Sequence, residues 1–543
     1  MPRITIDNKI VINFDSTARE KYWKNLSEYL INKHGNQIFD NQQKVDEMLT
    51  DSFSYLVQEF RSLVLKEKRY SFFLYVFWLH EQSIEIYIGL SAGLKLTGIS
   101  ANEFAMYRRI LKLILEQGCD IDLDWGKLPT GNEVVEFDKM IQELIYLGTW
   151  MYGFADYIAY QKMIEECHKI SFDDKGLLVI EWQHHYGVAY TELVPTLVED
   201  YKQATFDEQA VHELRANIEE CFNIEYDFAG GIIWEIQKSF STVSPDLETI
   251  EPHVLPINLV HQFGINQETA EIFYNGLTIS RANKLTIENA ILKPHSTQRY
   301  LFRPILIYKI GGVDRALIGK GKFSESIMVL ATNAIHWNAM LEDWLKLKCI
   351  KLFINKKGDD HDKILEDKIE VIVKQRGLYY CRNVKSFKQP QKNNIRIDNE
   401  LAGEIDLIIV DINRKHIFVA DAKYNRARYE AVGYRTDYTN FIKTYEPQLQ
   451  RKIDWISNNL DILQEHLKII YNTASIALQG YQIEGIFIIN TPTFYMFNGQ
   501  YKAITLKQFT DFIEGKYEYP NLVIISEEND KKVMVKHPYF IKP

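Results

Sequence analysis

The stretch GEIDLIIVDINRKHIFVADAKYN, residues 403–425, decides how the C-terminal third of the chain is read. Its two apolar runs, 407–410 and 417–420, have the composition of buried strands, and the polar segment 411–416 between them is a short turn. Asp406 opens the first run, while Asp421 and Lys423 close the second. Charges are costly there, because desolvating an ionised group without a partner costs several kcal/mol. Residues two apart in a strand share a face, so Asp421 and Lys423 point one way and Ala422 the other. The turn folds Asp406 back beside them. Two carboxylates converging beside a lysine make a hard, oxygen-rich site suited to Mg²⁺, which keeps waters and takes one or two protein carboxylates plus a substrate phosphate. Such an ion would answer the desolvation problem, and the lysine would orient or deprotonate an attacking water and balance charge in the transition state. Taken alone, D…DxK has a plainer reading as strand-end charges in a surface ion pair, worth little.

The flanking segments bear on that choice. Upstream, ILEDKIEVIVKQRG is an amphipathic helix with Ile364, Leu365, Ile369, Ile372 and Val373 on or near one face, and Glu366 lies close to that stripe. Downstream, YEPQLQRKIDWI places Gln448 and Lys452 one helical turn apart on a common face. In order and spacing, LEDKI, GEIDLIIV, VADAKY and PQLQRKIDWI resemble the motifs of the PD-(D/E)XK nuclease superfamily, over about residues 350–515. The resemblance implies a restriction-endonuclease-like α/β domain that uses Mg²⁺ or Mn²⁺. It implies Asp406, Asp421 and the Ala422 carbonyl as metal ligands, Lys423 as the catalytic lysine, Glu366 as the helix acid at the metal, and Gln448 as the helix glutamine. Asp421 stands where the family uses Glu at least as often, and Glu404 is a competing acid two residues from Asp406.

Composition sets the frame. A chain of 543 residues exceeds one ordinary core, which predicts several domains. The pattern predicts a mainly helical region over 1–245, a small α+β region over 246–345 and the nuclease-like domain over 346–543. Segments such as STAREKYWKNLSEYLINKHG, with Ser at the N-cap, and NEFAMYRRILKLILEQG carry helical spacing and stop signals, and the prolines of 244–256 suggest a domain connection. QRYLFRPILIYKIGGVDRALIGKGKF reads as strands with a turn at Gly311 and Gly312, and TNAIHWNAMLEDWLKLKCIKLF as one helix. Within the last region the pattern predicts a helix over 362–376, strands over 378–384 and 485–490, and helices over 445–460 and 506–513. GGVDRALIGKGKF resembles a phosphate loop, but Gly321 stands where Ser or Thr should follow Lys320, so a tight hairpin turn is the better reading. The scattered cysteines speak against zinc and against a disulfide framework, and Cys381 reads as a buried strand thiol. His184–His185 and Cys167–His168 lack second halves at metal spacing and read as packing or surface residues. No secretory leader or membrane-length apolar run is visible, so a cytoplasmic protein without membrane contact is expected.

Net charge is −10, which speaks against a nucleic-acid coat protein but not against a local basic groove. Residues 376–397 carry six basic side chains and no acidic one. Of these, Arg382, Lys385 and Lys388, with Lys392 further along and Arg426 and Arg428 after the second strand, are expected to contact phosphates. The expected function is metal-dependent hydrolysis of phosphodiester bonds, as an endonuclease on DNA, with a role in prokaryotic genome defence or mobile-element biology suggested by analogy. The helical N-terminal region would serve an activator or partner protein. The rival expectation is a non-catalytic nucleic-acid-binding or assembly protein on the same fold.

Overall fold

The computed structural model describes residues 3–14, 16–164, 166–183, 207–240, 249–390, 393–397, 402–426, 428, 430–518, 523–528 and 531–536. The chain divides into two compact units, one of residues 1–158, 169–181 and 204–358, the other of 159–168, 182–203 and 359–543. The sequence reading placed boundaries at 245 and 345. Instead, residues 246–345 share a unit with 1–158, because Asp122–Leu123 pairs in parallel with Ile305–Ile310 and so belongs to the sheet of the middle region. Among the described residues, no helix is long and apolar enough to cross a membrane.

In the first unit, the helices Ser16–His34 and Ala101–Gly118 follow the predicted spacing, the latter opened by a Ser100/Glu103 capping box. Hairpins at Arg3–Ile6/Lys9–Ile12 and His168–Phe172/Leu178–Trp182 flank and interrupt the region read as helical. Gly311 (φ +57°) and Gly312 (φ +83°) turn the predicted hairpin between Ile305–Ile310 and Val313–Ile318. The segment after it corrects the sequence reading. Gly319 caps the helix Lys320–Trp337, so the turn runs from strand to helix, not within a hairpin. The free amides of that helix are taken internally. Glu81 accepts from the amides of Gly321 at 2.8 Å and Lys322 at 3.0 Å, and so stands where a phosphate would sit. A Cβ at Gly319 would collide with that carboxylate. The helix ends at Trp337, where Asn338 turns left-handed (φ +50°). TNAIHWNAMLEDWLKLKCIKLF is therefore broken, and the next helix starts only at Lys348. A disulfide joins Cys221 to Cys349 across 128 residues, against the expectation from cysteine spacing. The pairing is tertiary, made where two distant helices meet, and leaves no local signal.

The second unit is built on a five-stranded sheet. Its strands are β1 (Tyr379–Val384), β2 (Ile405–Asp411), β3 (His416–Lys423), β4 (Gln482–Ile489) and β5 (Lys502–Thr505), in spatial order as in sequence. The pairs β1–β2 and β2–β3 are antiparallel, whereas β3–β4 and β4–β5 are parallel. A parallel neighbour needs a crossover. Helices α2 (Ala431–Asn440), α3 (Glu446–Asn458) and α4 (Leu460–Tyr471) supply it, with a π-helical turn over Phe441–Tyr445 before α3. On the other face lie α1 (Lys348–Gln375), from Asp359 onward part of this unit, and α5 (Leu506–Ile513). Strand parity sorts the core. Ile408, Val410, Ile417, Val419, Phe487 and Ile489 pack with Leu449 and Ile456 of α3. Leu407, Ile409, Phe418, Ala420, Ile486 and Ile488 pack with Leu365 and Ile369 of α1 and Phe509 of α5. Residues 159–168, read from sequence as part of the helical region, add Met163, Ile164 and Cys167 to the first of these cores.

Burial outweighs the two amide bonds at Glu81 and raises its carboxyl to about 7. Between roughly pH 4.5 and 7 the folded chain therefore holds a proton that the unfolded chain releases, and this group's contribution falls as pH rises through that window, by up to about 3 kcal/mol. Glu81→Gln should flatten the pH dependence of unfolding between those values, as followed by urea titration at a series of pH values. An unchanged slope would mean that Glu81 is already ionised at acidic pH.

Candidate active site

The hairpin β2–β3 puts its polar residues together by register alone. Pairing runs from Asp411 opposite His416 to Leu407 opposite Ala420. One step further, Asp406 and Asp421 stand across from each other. The turn is fixed by Asp411, whose carboxylate accepts from the Arg414 amide at 3.0 Å and from its Nε at 2.6 Å. By parity Asp406 shares its face with Ile408, and Asp421 with Val419, so both carboxylates lie on the α3 side of the sheet. Like charges directly opposite in a sheet repel. Two lysines answer that repulsion.

Lys452, from α3, is 6% exposed, and its ammonium contacts both carboxylates: Asp421 Oδ1 closely and Asp406 Oδ1 at 3.5 Å. Lys423 Nζ lies 2.8 Å from Asp421 Oδ2 and 4.9 Å from the centre of the Tyr445 ring. Asp421 itself is fully buried. Its Oδ2 has the Lys423 ammonium as its close partner. Asp406 Oδ2 accepts from the Ala422 amide at 2.9 Å. Burial, then the neighbouring Asp421 charge, pushes the Asp406 carboxyl well above the usual range. Burial also opposes ionisation of Asp421, but the Lys423 and Lys452 ammoniums overcome it and hold that carboxyl low.

A cavity of about 560 Å³ opens beside Asp406 and Lys423 and is lined also by Glu366, Lys385, Glu404 and Ala422, while the buried Asp421 and Lys452 are not among its lining residues. Six of the residues singled out in the sequence, Glu366, Lys385, Glu404, Asp406, Ala422 and Lys423, thus face one space. Glu366 is nearly buried and tied to Arg382 Nε at 2.9 Å. Gln448 sits half-buried on α3, one turn before Lys452. Sequence reasoning placed Lys452 on the right helix face but gave it no role. Its helical position four residues after Gln448 was the available signal.

The basic residues divide differently from the expectation. Arg382 is enclosed by Glu366, Asp367 and Glu370, so it organises α1 against β1 and offers no free charge to a phosphate. Arg428 is held by both oxygens of Asp437, at 3.0 and 2.8 Å. Each guanidinium thus already has carboxylate partners within the chain. Lys385 is exposed, 3.2 Å from Glu404. Lys388 is exposed, and its amide donates to His466 Nδ1. Arg426 is half-buried just past β3, and Lys392 lies outside the described residues. His184–His185 also fall outside them. His168 is buried against Trp182 with Gln161 as its partner, and Cys381 is a buried thiol raised to about 12 by burial, as their packing readings expect.

The donor chemistry fits a small hard cation. Among the described residues no three His, Cys, Asp or Glu side chains gather into a metal cage. Asp406, Asp421 and the Ala422 carbonyl would hold Mg²⁺ or Mn²⁺, which take oxygen ligands and need few from the protein. Comparison with known proteins finds no matching family model, no matching curated protein and no matching solved structure.

Removing one partner from a buried ion pair leaves an uncompensated charge, at a cost of about 3–5 kcal/mol. Lys452→Ala should therefore destabilise the second unit, by less than that range because Asp406 takes up a proton. Added to Asp421→Asn it should cost clearly less than alone, a coupling that a double-mutant cycle in urea reads directly. Additive effects would place Lys452 outside the carboxylate pair.

Proposed function

We propose that the second unit is a restriction-endonuclease-like domain that hydrolyses phosphodiester bonds with a divalent metal, acting on DNA as an endonuclease. The observation that carries this reading is the juxtaposition of Asp406, Asp421 and Lys423 on neighbouring antiparallel strands, beside a cavity that Asp406 and Lys423 line. The sheet order, two antiparallel strands followed by parallel ones with helices on both faces, supports it. So does the helix acid Glu366 in the same cavity.

When bound, the metal would polarise the scissile phosphate and lower the pKa of a water. The chain's own residues supply the rest. Asp406 and Asp421 fix the ligand oxygens on a rigid hairpin whose register leaves little freedom. Lys423, held 2.8 Å from Asp421 and resting on the Tyr445 ring, is a hydrogen-bond donor reaching the cavity. There it orients the attacking water and offsets charge building on the phosphoryl oxygens. Lys385, exposed at the cavity rim, is placed to meet a neighbouring phosphate. One observation favours the non-catalytic rival: two ammoniums already neutralise the two carboxylates.

The readings separate on cleavage of plasmid and of single-stranded oligonucleotides with Mg²⁺ or Mn²⁺. Wild type should cut, and Lys423→Ala should lose at least about a hundredfold in rate, the usual worth of a positioned proton-transfer or charge-stabilising group, while remaining folded. Wild type that binds nucleic acid but never cuts would favour the binding protein. A Lys423→Ala variant cutting at the wild-type rate would move the chemistry elsewhere.

A further inference from the structure

The lysine that sequence reasoning left without a role stands where a cation would stand. Lys452 reaches Asp421 Oδ1 and Asp406 Oδ1 with one ammonium. A divalent ion seated between the same carboxylates on their Oδ1 side would meet that ammonium at close range. Lys452 and a metal therefore compete for this position. Charge says the same. With both carboxylates ionised, as metal ligands must be, Asp406 and Asp421 with Lys423 and Lys452 form a neutral group in a largely buried place. Adding a divalent ion with both lysines in place would leave two uncompensated positive charges, which low-dielectric surroundings oppose strongly. The helix that carries Lys452 is preceded directly by the π-helical turn Phe441–Tyr445, a form that is rare and frequent at functional sites.

Building on the reading of this site as a metal centre, we propose that Lys452 is an internal cation that holds Asp406 and Asp421 together in the metal-free protein and must leave before a divalent metal binds. The lysine is then a lock on the site. It keeps the opposed carboxylates from repelling each other, makes the resting affinity for metal low, and couples loading to a movement of α3. Anything that draws α3 or the Lys452 side chain away, a phosphate group in the cavity included, would favour loading.

The test needs neither substrate nor turnover. Full-length wild type and Lys452→Gln are titrated with Mn²⁺, free ion being read by electron paramagnetic resonance, with Asp421→Asn as the control that removes a ligand. Lys452→Gln should bind Mn²⁺ at least about tenfold more tightly than wild type, and Asp421→Asn more weakly. Because Lys452→Gln is a core change, a second measurement uses wild type alone. Acylation of lysines by a small amine-reactive ester, located by mass spectrometry, should leave Lys452 protected without metal and label it several-fold more with saturating Mn²⁺. The fully buried Lys322 serves as the unchanged reference. Equal Mn²⁺ affinity in wild type and Lys452→Gln, or unchanged protection of Lys452 with Mn²⁺ bound, would overturn the lock while leaving the metal centre standing. Absence of Mn²⁺ binding by either protein into the millimolar range would overturn both.

Discussion

The second unit turns on a fully buried carboxylate at the end of a strand. Asp421 has no exposed surface, yet it stays ionised because one lysine approaches each of its oxygens. A single buried charge of this kind would cost several kcal/mol or take up a proton. Its neighbour Asp406, with one more distant ammonium, is pushed toward the protonated form by burial and by Asp421. The asymmetry is a general pattern for paired carboxylates: the better-partnered member keeps the charge. Everything at the site follows from holding these two groups opposite each other.

The fold supplies that constraint with ordinary means. A hairpin pinned by Asp411 and Arg414 sets the register, and period-2 alternation then assigns Asp406 and Asp421 to one face. The same alternation gives the opposite face to Leu407, Ile409, Phe418 and Ala420, which seat α1. A register slip of one residue would exchange the faces and bury the carboxylates among these side chains, so the apolar core and the polar site specify each other. The crossover required between β3 and β4 brings α3 over the carboxylate face, and Leu449 and Ile456 anchor it with Lys452 between them in sequence.

What the sequence made legible was local. The alternation in 403–425 announced the hairpin and the shared face, and the amphipathic stripe of α1 announced its packing side. Register then did the rest, since nothing long-range is needed to set Asp406 beside Asp421. What stayed hidden was tertiary. Arg382 reads as a basic residue in an acid-free stretch, but its partners Glu366, Asp367 and Glu370 come from the preceding helix. Lys452 reads as a solvated helix lysine until the crossover places it on the carboxylates. Glu81 at the helix start Lys320, and Cys221 opposite Cys349, are pairings of residues far apart in the chain, and no periodicity encodes them. The grouping of residues 246–345 with the N-terminal helices is hidden for the same reason: one short parallel pairing, Asp122–Leu123 with Ile305–Ile310, ties distant segments into one sheet.

A divalent-metal centre at Asp406 and Asp421, as proposed above, would leave a direct signature. The most direct measurement is the anomalous difference density of a crystal of this protein soaked in Mn²⁺ and recorded where manganese scatters anomalously. The account predicts a peak in contact with both carboxylates and the Ala422 carbonyl, with the Lys452 ammonium withdrawn from Asp421. Density showing no manganese there, with Lys452 still seated on both carboxylates at saturating Mn²⁺, would contradict it.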